Sequence, residues 1–155
     1  MPLADLTAAY AAGPGLVRAA VRGLTRDQLL ARPGPGAWSV LEVVAHLADF
    51  EPVYVERMKR VIAFDKPLLL EADENGFASH LAYQDRDLDE ELAVLEATNR
   101  AFVRVLRTFP EAVLDRPGVH TARGLLTFAQ LLTGTTNHVK HHLPFVAAKR
   151  AALGA

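Results

Sequence analysis

The sequence predicts an all-α protein, a four-helix bundle, and three observations carry that expectation. Four segments repeat apolar residues at three- and four-residue steps, the spacing of a helix that buries one face. Helix starts are marked by capping boxes, in which a Ser or Thr is followed three residues later by Glu or Gln: Thr25 with Gln28, Ser39 with Glu42, Thr127 with Gln130. No stretch alternates polar and apolar residues convincingly enough to be a strand.

The first segment spans about Leu3 to Leu24, with Leu16, Val17, Ala20, Val21 and Leu24 on one face and an interruption at Gly13-Pro14-Gly15. A short helical turn is expected over 25–30. The run Arg32-Pro33-Gly34-Pro35-Gly36 breaks the chain. The second long helix starts after Ser39, and Val40, Val43, Val44, Leu47, Phe50, Tyr54 and Met58 form its apolar stripe; Pro52 is expected to bend it. From Phe64 to Arg86 the spacing predicts a long connection, which tight helical hairpins do not use, so it crosses over between helices two and three. The third helix begins near Asp87, buries Leu88, Leu92, Leu95, Asn99, Phe102, Val103, Leu106 and Phe109, and stops at Pro110. Residues 115–123 read as loop. The fourth helix begins near Thr127 and extends towards Leu153, with a kink expected at Pro144.

At 155 residues the chain suits one domain, 1–155. Half of its residues are hydrophobic and 23% are charged, with mean hydropathy +0.11, which fits a folded chain and not a disordered one. Seventeen basic residues against 18 acidic ones leave a net charge of -1, so the footprint needed to bind a phosphate backbone is missing and nucleic acid is not expected as a partner. The N-terminus lacks a signal-peptide pattern and no apolar run is long enough for a membrane span, so the cytoplasm is the expected compartment and no membrane partner is expected. Cysteine is absent, which leaves His, Asp and Glu as the available metal ligands.

The six histidines are unevenly placed. His138 and His142 stand at i and i+4 on the fourth helix, one above the other on a face bordered by apolar residues, where two imidazoles can reach one ion. His141 points elsewhere, and His80 and His120 read as surface or loop residues. His46 on the second helix is the candidate third ligand, if those helices are neighbours. Glu42 and Asp49, one turn either side, are weak candidates for orienting an imidazole or acting on a bound water. A histidine on an apolar face is also commonly a hydrogen-bonded core residue, and Glu42 is explained by its capping box, so spacing alone leaves both readings open. Three neutral imidazoles suit zinc, nickel or iron(II) rather than calcium or magnesium. They leave the ion's double charge uncompensated, which favours an anionic substrate or thiolate. Trp38 is expected as a core anchor at the start of the second helix.

Two blocks resemble the DinB-like family, small helical proteins related to the YfiT-type metal-dependent hydrolases. One is Trp38-Ser39-Val40-Leu41-Glu42-Val43-Val44-Ala45-His46-Leu47; the other is Leu126-Thr127-Phe128-Ala129-Gln130-Leu131-Leu132 followed by Asn137-His138-Val139-Lys140-His141-His142. The resemblance implies a bundle of unusual connectivity, a metal site formed by His46, His138 and His142, and a homodimer. It further implies a small-molecule substrate and either hydrolysis or transfer to a low-molecular-weight thiol such as bacillithiol or mycothiol, the thiol being a co-substrate. Where many relatives read Leu-Gly-Gln-Ile after the second histidine, this chain reads Leu143-Pro144-Phe145-Val146 and lacks the glutamine.

The leading expectation is therefore a metal-dependent enzyme activating thiol or water. The alternative is a non-catalytic small-ligand or stress-response module with a structural metal. Arg86, Arg123 and His120 lie in segments that can reach a cavity beside the histidines.

Overall fold

The computed structural model describes residues 1–34 and 36–154. Pro35 of the expected breaker and Ala155 at the end of the expected domain lie outside the described residues. The chain folds into helices α1 (Leu3–Ala11), α2 (Gly13–Val21), α3 (Arg26–Leu30), α4 (Val40–Ala63), α5 (Glu74–His80), α6 (Leu88–Leu106) and α7 (Phe128–Ala152). Strands β1 (Leu68–Leu69), β2 (Pro117–His120) and β3 (Gly124–Thr127) complete it, with short 3₁₀ turns at Tyr83–Asp85 and Glu111–Asp115.

The four-helix bundle is built as the periodicity demands. The first helix is divided into α1 and α2, with Gly13 and Pro14 opening the second piece. All three capping boxes form, at Thr25, Ser39 and Thr127, and each contributes about 1 kcal/mol by satisfying backbone N–H groups that a helix start leaves free. Asp87 caps α6 by accepting from the Asp89 and Glu90 backbone N–H groups. Both α4 and α7 run on through their internal prolines, Pro52 and Pro144. Helix α4 packs against α6 and α7, and the α1–α2 segment packs against the same two helices from the other side. No helix among the described residues is long and apolar enough to cross a membrane.

The core falls into two clusters stacked along the bundle axis. One gathers Leu6, Met58, Phe102, Leu106 and Phe128. The other gathers Val17, Val44, Leu47, Leu95 and Val139. Between them lies a polar layer. The Tyr10 hydroxyl donates to Glu51 in a short hydrogen bond, and Asn99 Nδ2 donates to the Tyr10 carbonyl at 3.1 Å and to Glu51 Oε1 at 3.4 Å. This layer ties α1, α4 and α6 together at one level.

The expectation of no strand is corrected. β1 pairs in parallel with β2, and β2 pairs antiparallel with β3, giving a three-stranded sheet in the order β1-β2-β3. Gly118 is the point of closest approach: a Cβ there would lie 2.8 Å from Val61 Cγ2 and 2.9 Å from Leu69 Cδ1, so β2 can press on α4 only without a side chain. Arg116 secures the same junction. Its Nε donates to the Val61 carbonyl at 2.7 Å and its Nη2 to the Phe64 carbonyl at 2.8 Å, satisfying acceptors at the C-terminal end of α4. The crossover of residues 64–87 thus contains β1, α5 and a 3₁₀ turn, and α5 rests against α4.

Candidate metal centre

His46 projects from α4 and is fully buried; His138 and His142 project from α7 and are half-buried. Packing of α4 on α7 brings the three rings together with centroids 4.8, 4.9 and 4.8 Å apart, nearly an equilateral triangle. His46 Nε2 lies 2.8 Å from His138 Nε2, and one ligand nitrogen from each residue falls within 4.8 Å of the others. A tetrahedral ion with nitrogen bonds of about 2.0–2.1 Å separates its ligands by roughly 3.3 Å, a spacing these values bracket. The residues present therefore fit a divalent ion.

Electrostatics keep the rings in the state that ligation needs. Burial pushes His46 down to about 4, with the neighbouring His142 adding to the effect. His138 is lowered to about 3 by burial and then by His46, and His142 to about 4 by burial and then by His141. All three are neutral imidazoles at neutral pH, with lone pairs available. His46 Nδ1 has no hydrogen-bond partner among the described residues.

Aromatic rings enclose the triangle. Trp38 lies 5.1 Å from His46, Phe50 4.5 Å from His46, and Tyr54 5.2 Å from His138. The expected core anchor Trp38 is half-buried and covers the site.

The acidic candidates part company here. Glu42 is held by the Ser39 backbone N–H and by Arg32, and Arg86 grips Asp49 at 2.8 and 2.9 Å. Both carboxylates are engaged in structure. Glu74, at the start of α5, places Oε2 4.0 Å from His46 Nε2. Sequence reasoning missed it, because an acid in an irregular connection carries no periodic signal. The one available hint was the Asp73-Glu74 pair at a possible helix start.

The remaining histidines also sort differently. His80 and His141 are exposed, as expected, although the His141 ring meets the His142 ring edge-on at 5.2 Å. His120, expected on the surface, is 5% exposed in β2, because its strand alternation turns it inward. A cleft of about 640 Å³ opens beside the histidines, bordered by Phe50, Tyr54, Arg57, Glu74, His120 and Arg123. Arg86 is not among these residues; it is occupied by Asp49 and Glu91.

Comparison with known proteins agrees with this architecture. The sequence profile described as the DinB superfamily matches residues 9–146. A protein of Geobacillus thermodenitrificans named "putative metal-dependent hydrolase" is 30% identical over 145 residues, covering 91% of this chain and 80% of that one. A Bacillus licheniformis protein given the same description is 28% identical over 142 residues, covering 91% and 81%. The solved structure of YfiT from Bacillus subtilis, a four-helix bundle of unusual topology, superposes with a TM-score of 0.90 at 23% identity, covering 98% of this chain and 87% of that one.

Proposed function

The chain belongs to the DinB superfamily, and on that premise we propose that it is a metal-dependent enzyme whose ion is held by His46, His138 and His142. The observation that carries the reading is the triangle of neutral imidazoles, one buried and two half-buried, converging from two helices. The donor set suits zinc, nickel or iron(II). When bound, such an ion supplies Lewis acidity that makes a water or a thiol a competent nucleophile near neutral pH.

The chain's own residues supply the rest. Three imidazoles from a two-helix frame bring no negative charge to the site. Trp38, Phe50 and Tyr54 set apolar ring surface against His46 and His138, which strengthens electrostatic effects on that side of the site. Glu74 is the carboxylate nearest the converging nitrogens and is placed to accept a proton from the nucleophile. Hydrolysis uses water as that nucleophile. Transfer uses a low-molecular-weight thiol, which must come from solution because the chain has no cysteine.

The test combines metal analysis with turnover. Protein prepared without chelator is expected to hold about one equivalent of transition metal, and His138→Ala to hold none. Glu74→Gln is expected to retain the metal while losing at least tenfold in hydrolysis of an activated ester or in thiol transfer to an electrophile. A chain that binds none of zinc, nickel and iron(II) overturns the reading. Full activity in Glu74→Gln overturns the role of Glu74 alone.

A further inference from the structure

The cleft also carries groups that ligation by His46, His138 and His142 does not use. We infer that Arg57, Arg123 and His120 form a subsite for a carboxylate borne by the molecule that enters the cleft. The connection of that carboxylate to the reacting centre rests on the metal-dependent reading above.

Arg57 is the anchor. It is only 7% exposed, lies over the Tyr54 ring with its guanidinium 5.6 Å from the centroid, and donates through Nε and Nη2 to the Leu70 carbonyl. Those bonds fix the plane of the guanidinium without neutralising it. A buried arginine is ordinarily matched by a carboxylate. Arg86, with a side chain 22% exposed, has Asp49, whereas the more deeply buried Arg57 forms no ion pair among the described residues. Its Nη1 makes no hydrogen bond there either.

The β2–β3 hairpin brings two more donors to the same cleft. Arg123 is exposed at its turn, beside Gly124 at φ 71°, and also forms no ion pair among the described residues. His120 Nδ1 accepts from the Ala122 backbone N–H at 3.2 Å. That bond places the proton of the neutral ring on Nε2, which is left as a donor. Burial lowers the His120 pKa, and Arg57 and Arg123 lower it further, consistent with three donors facing one space.

Acidic groups on the opposite border do not cancel this charge. Asp73 accepts from the Asn75 backbone N–H at 3.0 Å, Glu74 is turned towards His46 at 4.0 Å, and Glu71 is exposed; none of the three pairs with Arg57 or Arg123. A planar carboxylate matches the free edge of a guanidinium better than a neutral amide of the same shape. Phe50 and Tyr54 border the cleft and also meet the His46 and His138 rings, so a molecule reaching from the arginines towards the histidine triangle passes apolar surface.

The experiment compares two probes of equal size on the zinc-loaded chain, 3-mercaptopropionate and its neutral amide, by calorimetric titration. The acid is expected to bind at least tenfold more tightly than the amide. Arg123→Gln is expected to cut that preference severalfold, Arg57→Gln to abolish it, and Arg104→Gln, on the outer face of α6, to leave it intact. Should Arg57→Gln fail to fold, Arg123→Gln and Arg57→Lys, which keeps the charge but loses the fork, decide the matter. Equal binding of acid and amide, or a preference that survives both arginine substitutions, overturns the inference. If zinc does not bind at all, the metal reading fails separately. Propionate against propionamide on the metal-free chain then tests the subsite, with the same arginine variants deciding it.

Discussion

Among the polar side chains that helix α4 buries, His46 and Glu51 lie only five residues apart and stand in opposite circumstances. Glu51 is enclosed between the two apolar clusters, receives hydrogen bonds from Tyr10 and Asn99, and is not among the residues that border the cleft. His46 meets two other imidazoles, keeps an unpartnered Nδ1, and adjoins an open cleft. A buried polar group with its partners inside the protein specifies packing, because each helix that supplies a partner is held at one height. A buried polar cluster with unspent lone pairs is completed from outside the chain. The same helix thus carries a closed layer that serves the fold and an open one whose lone pairs the fold leaves unused.

The comparison breaks most visibly at Glu51. Glu51→Ala removes the acceptor of two donors and leaves the Tyr10 hydroxyl buried without its partner, so a loss of about 3 kcal/mol is expected in urea unfolding. Zinc binding by the residual folded protein should be unchanged. His138→Ala should do the reverse. It changes the metal-free stability by about 1 kcal/mol or less, and it removes the stabilisation of about 2.7 kcal/mol that zinc at a hundredfold excess over its Kd gives the wild type.

Acidity sharpens the contrast, because the two layers respond to it with opposite sign. Burial holds His46 down to about 4 against an ordinary value of 6.5. The unfolded chain therefore binds the extra proton first, and stability present above pH 6.5 is lost as pH falls towards 4. In metal-free protein this loss amounts to roughly 3 kcal/mol for His46, each pKa unit being worth about 1.4 kcal/mol. Burial raises Glu51 above its ordinary 4.5, so the contribution of its neutral carboxyl is complete below pH 4.5 and is lost as pH rises through the folded-state value. Unfolding curves of His46→Gln and Glu51→Gln against pH, with chelator present, should flatten at opposite ends. The smallest effect is expected at Gly118→Ala, about 1 kcal/mol, from the crowding of Val61 and Leu69. It should displace the hairpin that carries His120 and Arg123 while leaving zinc binding intact, which circular dichroism and metal titration can check.

Features set by short-range chemistry were the legible ones. Capping boxes at Thr25, Ser39 and Thr127 depend on residues three apart, and the ladder of His138 and His142 on residues four apart, so both are written locally. The DinB-like resemblance agrees with the profile match and with the fold of YfiT. Strands of two to four residues escaped because β1 and β2 pair in parallel across about fifty residues, and because Pro117 and Gly118 read as loop. With that sheet went the burial of His120. Arg57 reads as part of the polar face of α4 until Leu70 folds over it, and Glu74 acquires its position only when α5 packs on α4. In each case the deciding neighbour lies outside the local helical repeat.

The separation of His46 from His138, 92 residues along the chain, has a kinetic corollary. Their meeting requires the crossover, the hairpin and the docking of α7, so the triangle is complete only once the bundle is closed. Contacts that form after the rate-limiting step leave the refolding rate alone and act on escape from the native state. An ion held there works as a latch: stopped-flow traces with and without zinc should superpose on the refolding limb and separate on the unfolding limb.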